Sequence, residues 1–515
     1  MAIASTLSRR AFLATSAGAA LAGTGTLGWS AKAAGLKTLR IAAGEADGPK
    51  GTIDPALSTA DPDAARISLA LERLVILDDT FTPKPQLAKS WEPNAAGDIW
   101  TFHLHSGVKF QDGASFTAKD VLYSYKRLFD PAIASPASSS LSAIDPAGIE
   151  AVDDFTVRFK LKSPVVEFPS LIANRFTYIL RDGQDPDKIR TQAIGTGPYK
   201  VSHFVPGEEP TVFVKNEYYW RPGLPKVDVV ELRSIPDSAA RIAAIASGQV
   251  DLVWDLPRLG IDSLETNPAV KVVSVRTPFV LDIAMWTDTP PFDDVRVRQA
   301  LKYVVDRDKM KKLVVGKHGQ VGDDNPVAPW VRYALQAQPR KRNVAKAKAL
   351  LAEAGHPNGL DLELFTSNVT PGFTELATVY QAFAAEAGIR ITITRTPEGE
   401  YWDNIWLKKP FICSSWSGRD ADDALSVAYL SDAKWNETHW KRPEFDKLVA
   451  EARQTIDVSK REALYQQAQR LLRDDGGAII PIFPDSIGAT RANVTGWKLH
   501  PQQYSKDFST VDISA

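Results

Sequence analysis

Arg419 closes the run Cys413-Ser414-Ser415-Trp416-Ser417-Gly418-Arg419, which leaves an apolar, strand-like stretch and continues into Asp420-Ala421-Asp422-Asp423. A guanidinium carries a planar fork of donors that fits a carboxylate bidentately and repels ammonium groups. The indole of Trp416, three residues earlier, supplies a face for stacking or for a cation. On a loop at a strand end, the pair would receive an anionic group of a small molecule and wall it in. An ion pair between Arg419 and Asp420, Asp422 or Asp423 is the internal alternative. A second run, Ser367-Asn368-Val369-Thr370-Pro371-Gly372-Phe373, lies between a strand near Leu362 to Phe365 and a helix near Leu376. Its small polar residues, Asn368 and Thr370, suit hydrogen bonds to amide groups, Phe373 ends the loop, and the N-terminus of the helix behind favours negative charge. An ordinary connection is the alternative there. A third stretch, Lys434-Trp435-Asn436-Glu437-Thr438-His439-Trp440, is unusually aromatic for a polar loop, so Trp435 is a candidate wall residue, with packing beneath the surface as the competing account.

Bond-making chemistry finds little support. The seven histidines, at 103, 105, 203, 318, 356, 439 and 500, form no H-E-x-x-H pattern, and one cysteine, Cys413, excludes both a thiolate zinc site and an intramolecular disulfide. His103 and His105 share a strand face and read as solvent-side residues. No Gly-x-Ser-x-Gly elbow occurs, and no carboxylate spacing singles out a general acid/base pair. Gly195-Thr196-Gly197-Pro198-Tyr199 is an incomplete phosphate cradle with no helix behind it, so it reads as a restrained turn. The formal charge of −1 over 515 residues lacks the basic excess of a phosphate-contacting nucleic-acid binder. No enzyme, metal site or cofactor is expected.

The elements that must position these residues alternate between strands and helices, the mark of mixed α/β layers. Trp100, Phe102 and Leu104 alternate with Thr101 and His103, and Phe155, Val157, Phe159 and Leu161 with Thr156, Arg158 and Lys160; both patterns predict strands covered on one side. Thr117-Ala118-Lys119-Asp120 resembles a capping box that opens a helix with Val121, Leu122, Tyr125, Leu128 and Phe129 inward. Helical spacing recurs at Val297, Ala300, Leu301, Val304 and Val305, at Leu376, Val379, Tyr380, Phe383, Ala384 and Ala387, and at Leu464, Ala468, Leu471 and Leu472. Gly388 stops the second of these before a strand at Ile389 to Thr394, and Gly476-Gly477 stop the third before a strand at Ala478 to Phe483. The flanks of Cys413 predict a buried strand in which the thiol is a small core group.

At the N-terminus, Ser8-Arg9-Arg10-Ala11-Phe12-Leu13 precedes a weakly apolar run and then Ala31-Lys32-Ala33. The paired arginines match the twin-arginine export pattern, and A-x-A is a cleavage signal, so 1–33 is expected to be a signal peptide. No later stretch has the ~18 apolar residues of a spanning helix.

From about Leu36 onward, the order of motifs resembles the family 5 solute-binding proteins of bacterial ABC importers, the group of dipeptide-, oligopeptide- and nickel-binding proteins. The resemblance rests on six blocks: Gly51-Thr52-Ile53-Asp54-Pro55; Pro85 to Trp91 with Trp100 to Leu104 and Gly107 to Gly113; Phe116 to Val121; Gly195 to Lys200; Asn216-Glu217-Tyr218-Tyr219-Trp220; and Asp294 to Leu301. It implies a two-lobe α/β fold of the periplasmic-binding-protein type (type II) with a cleft between lobes. Lobe I would be 36–283 plus 486–515, with an extra subdomain at 56–193, and lobe II 284–485, with crossings near Leu281 to Met285 and Pro484 to Ile487. It further implies a monomeric periplasmic receptor that closes over peptides or peptide-like ligands and delivers them to permease subunits in the inner membrane. Peptide-binding relatives commonly carry an Asp after Trp-x-Gly to pair with the ligand's α-amino group; here Arg419 stands there, while Asp422 matches a further acidic position of the family. The alternative within the class is a metal-chelate carrier, with His439 and Arg419 holding the chelate's carboxylates.

Overall fold

The computed structural model describes residues 35–45, 48–502 and 505–514. The export signal read at Arg9-Arg10 and Ala31 to Ala33 lies outside them. The unit Lys37–Ala515 is built on three large sheets, with two-stranded ribbons at Val75–Leu77 with Pro83–Pro85 and at Val494–Thr495 with Asp512–Ile513. The first has seven strands in the order Val270–Val275, Ser486–Arg491, Leu252–Val253, Thr38–Ala43, Val229–Ser234, Thr211–Lys215 and Tyr199–His203. Thr38–Ala43 runs parallel to both of its neighbours and the other pairs are antiparallel. The second has six strands in the order Gly319–Val321, Ala478–Pro484, Val280–Met285, Phe411–Trp416, Leu360–Thr366 and Ile389–Arg395. The third is a four-stranded antiparallel sheet, Ala88–Pro93, Ile99–Leu104, Thr156–Leu161 and Ile144–Asp153, packed on the helix Ala118–Leu128.

Local patterning explains these elements. Trp100, Phe102, Leu104, Val157, Phe159 and Leu161 are all buried, and the rings of Phe102 and Phe159 meet each other, and those of Phe168 and Tyr125 respectively, edge to face. Phe155 departs from the expected alternation: it is exposed, because pairing begins only at Thr156 and a turn held by Asp153 precedes it. The capping residue behaves as expected, with Asp120 accepting from the Thr117 N–H at 2.8 Å. The helices Val295–Tyr303, Phe373–Ala385 and Val458–Asp475 stand where the spacing puts them. Cys413 is buried and unpaired, its thiol pushed up to about 12 by burial.

Several of the sequence blocks meet around the end of the helix Asp61–Ala70. Gln111 donates to the Ala70 and Tyr199 carbonyls at 2.6 and 2.8 Å and accepts from the Gly195 N–H at 3.0 Å. A Cβ on Gly197 would stand 2.4 Å from the Ala70 carbonyl carbon, so only glycine permits that approach. Buried Glu72 accepts from Thr196 Oγ1 and Trp220 Nε1, both at 2.8 Å, and from the Tyr219 hydroxyl at 3.2 Å. Its carboxyl is pushed up to about 7 by burial, against those three donors. Blocks far apart in the chain therefore serve one junction, which is structural work.

The chain leaves the seven-stranded sheet after Val275 and enters the six-stranded one at Val280, so Leu281 to Met285 lie inside a strand and the passage itself is 276–279. It returns through the single residue Asp485, between strands ending at Pro484 and starting at Ser486. The two passages are tied by Thr277 Oγ1, which donates to the Pro484 carbonyl at 2.7 Å.

Candidate functional site

Beside the outward passage, the end of the strand Phe411–Trp416 meets a narrow hollow lined by Pro278, Val280, Pro326, Trp416, Ser417, Arg419 and Tyr429. The helix Ala421–Tyr429 opens directly after it, capped by Asp420, whose carboxylate accepts from the Asp423 N–H at 3.0 Å. Arg419 lies 5.9 Å from the Trp416 ring centre, and its Nη1 pairs with Asp423 at 2.5 Å. The internal ion pair is thus present. It occupies one edge of the fork, whereas Nε is buried with no hydrogen-bond partner. The hydroxyl of Tyr429, another lining residue, is likewise buried and unpartnered.

Trp435 joins this site. Its half-exposed ring stands 6.1 Å from Trp406 and 6.3 Å from Trp416, and Trp402 extends the array at 5.8 Å from Trp406. Four indoles thus form a continuous wall. Beneath it, Glu437 at zero exposure accepts from Ser414 Oγ at 2.6 Å and from Trp406 and Trp416 Nε1 at 2.7 Å each.

The other sequence candidates lie elsewhere. Asp422 is held bidentately by Arg453, at 2.8 and 3.0 Å, and accepts from the Tyr465 hydroxyl at 2.9 Å, so its carboxylate is already engaged within the protein. Phe373 is fully buried against Tyr401 and Trp402, so it is a core residue and not a loop contact. Asn368 caps its own loop by accepting from Thr374 Oγ1 at 2.8 Å, and neither it nor Thr370 lines the hollow. His439 stacks on Trp286 at 4.1 Å and pairs with Asp288 at 3.0 Å, so its partners are internal. His103 pairs with Glu92 and His105 packs on Trp220, two separate environments. Among the described residues, no three His, Cys, Asp or Glu side chains stand together at metal-binding spacing.

Sequence reasoning missed Trp402, Trp406 and Tyr429, and passed over Glu437 within the aromatic stretch. Glu437 was signalled by its place between aromatic residues in an otherwise polar stretch, and Asp282 by being the one charge in the apolar strand Val280–Met285.

A second cluster sits beside the hollow. Glu167, ahead of the short helix Phe168–Leu171, accepts from Arg332, from the Tyr333 hydroxyl at 3.0 Å and from Arg461 Nε at 3.0 Å. It faces Asp420, whose carboxyl is pushed up to about 7 by burial and by Asp423 and Asp422.

Two α/β sheets joined by tied passages, with a stacking wall and a leftover guanidinium edge beside the joint, define a two-lobed solute-binding protein. The chain belongs to the bacterial extracellular solute-binding proteins of family 5, whose middle region matches residues 82–437. It is therefore a substrate-binding component of the ABC-importer class. The glutathione-binding protein GsiB of Pectobacterium atrosepticum is 29% identical over 448 residues, covering 83% of this chain and 85% of that protein. HbpA2 from Haemophilus parasuis superposes with a TM-score of 0.82 at 25% identity, over 93% of this chain and 100% of that one. The periplasmic DppA of Helicobacter pylori, solved with the peptide STSA, gives 0.73 at 27% identity, over 92% and 98%. Family members act outside the cytoplasm, and no helix among the described residues is long and apolar enough to cross a membrane.

Proposed function

We propose that this protein captures short peptides or peptide-like molecules bearing an anionic group, glutathione among them, and hands them to the permease of an importer. The single observation that carries the reading is the buried Nε of Arg419, left without a partner beside the Trp416 ring. A carboxylate seated there would satisfy that donor and keep the charge compensated. Trp416 and Trp435 would supply the stacking wall. The GsiB relatives support the ligand class, and the Arg419 charge argues for a carboxylate and against an ammonium at this point. In this proposal lobe I is 36–283 plus 486–515, with 56–193 as its subdomain, lobe II is 284–485, and capture is their closure. The protein works as a monomer, exported by the twin-arginine signal, and carries its ligand without converting it.

Calorimetric titration with glutathione and a set of di- and tripeptides tests this. Arg419→Ala should weaken the tightest of these ligands by roughly 10- to 100-fold, the worth of hydrogen bonds to a charged group. Unchanged affinity for every ligand bound by the unsubstituted protein removes Arg419 from the site.

A further inference from the structure

The strand Val280–Met285 is buried along its whole length, yet its third residue is Asp282. That carboxyl has zero exposure, and neither oxygen meets an N–H or O–H donor from the surrounding protein. The charge that acts on it is the carboxyl of Glu437, equally buried. Ser414 stands opposite Asp282 in the sheet register and gives its hydroxyl to Glu437. Two ionised acids cannot share such a place, because each adds repulsion to the cost of burying the other. The remaining facing groups bring no positive charge: Cys413 lies on the adjoining strand, Tyr401 gives its proton to the Cys413 carbonyl at 2.6 Å, and Tyr429 is buried with its hydroxyl free. Among the described residues, no Lys, Arg or His acts on Asp282.

We propose that Asp282 holds a proton and donates it to Glu437, and that this makes Glu437 a fixed anion which positions the indoles of Trp406 and Trp416. The pair is then a positioning device behind the ligand wall. Its link to the ligand rests on the function proposed above; the shared proton does not. Glu437 accepts three donors from the wall and its strand, and the Asp282 proton would be the fourth. Burial, then Glu437, pushes the Asp282 carboxyl well above the ordinary carboxylate range. A raised carboxyl binds its proton in the folded chain after the unfolded chain has lost it. Stability therefore falls as pH rises from about 4 toward the folded value, by up to about tenfold in the unfolding constant per pH unit.

The test needs no ligand. The infrared spectrum of the whole protein at about pH 8 should contain a protonated-carboxyl band that Asp282→Asn and the shape-retaining Asp282→Leu both lack. Urea unfolding across the pH range should give a stability difference, Asp282→Asn minus unsubstituted, that grows with pH. Tryptophan emission should shift in Glu437→Gln and keep its position in Asp282→Asn, whose amide still donates. A band unchanged in both Asp282 variants, or a stability difference flat with pH, overturns the shared proton. An emission unmoved in Glu437→Gln overturns the positioning role. Loss of ligand affinity in Arg419→Ala bears on neither, so the two proposals fail separately.

Discussion

Replacing Asp324 by Ala is expected to cost about 3–5 kcal/mol of folding stability, the usual result of stripping one partner from a buried ion cluster. Asp324 has zero side-chain exposure and accepts from Arg307 Nη2 at 2.6 and 2.7 Å, from Arg340 Nε at 2.9 Å and from the Ile480 N–H at 3.2 Å. Without it, two guanidinium groups remain buried with no anion between them, close to the buried Lys302 ammonium, itself pushed down to about 7 by burial. Urea denaturation at neutral pH gives the number directly; a loss below about 1 kcal/mol would mean that water reaches the cluster. Burial alone would push the Asp324 carboxyl up, but Arg307, Lys302 and Arg340 outweigh it and hold the group below the ordinary range. Its contribution is therefore complete above the unfolded carboxylate value of about 4 and disappears as pH falls through the lower folded value. The difference between the unsubstituted protein and Asp324→Ala should shrink on acidification.

Glu167→Ala should weaken ligand binding by roughly 30- to 150-fold, equivalent to about 2–3 kcal/mol. Glu167 stands just beyond the strand Thr156–Leu161 of the four-stranded sheet, and its partners Arg332, Tyr333 and Arg461 come from the part of the chain built around the six-stranded sheet. The Val166 N–H donates to the Arg453 carbonyl at 3.1 Å next to it, and Arg332 donates to the Thr80 carbonyl at 3.4 Å. If these contacts exist only when the lobes are together, their energy belongs wholly to the closed form and appears in the dissociation constant. Small-angle scattering of the ligand-bound variant should then report a larger radius of gyration. A variant that melts earlier but keeps its affinity would place these contacts in the open form too.

Much of this was legible before any coordinates. The alternation at Trp100, Phe102 and Leu104, the Asp120 cap and the apolar stripe of Phe373–Ala385 are local signals, and each element formed where its own residues require it. Phe155 failed because strand limits are set by pairing, which a single strand's pattern does not contain. At the candidate site, Trp416, Arg419 and Trp435 stand out in the sequence as large side chains in short polar runs, although the same pattern covers Trp440, which is fully buried. The Arg419–Asp423 pair followed from spacing alone. The surroundings of Phe373 and Asp422 are not legible in the sequence, since their side-chain directions depend on how two helices settle on their neighbours: one points into the core, the other toward Arg453. Asp282 and Glu437 each carry a local signal, but their meeting is not readable, because they lie on distant segments that only the six-stranded sheet and its flanking loop unite.

The return passage, one residue long and pinned to the outward passage at Thr277, leaves almost no slack. Any opening must be a swivel, in which displacement grows with distance from the pivot. Pro278, in the outward passage, and Val280, the first residue after it, both line the hollow, so the hollow lies at the joint itself. A guest seated there, as proposed above, would press on the joint and so bear directly on how the two halves swing.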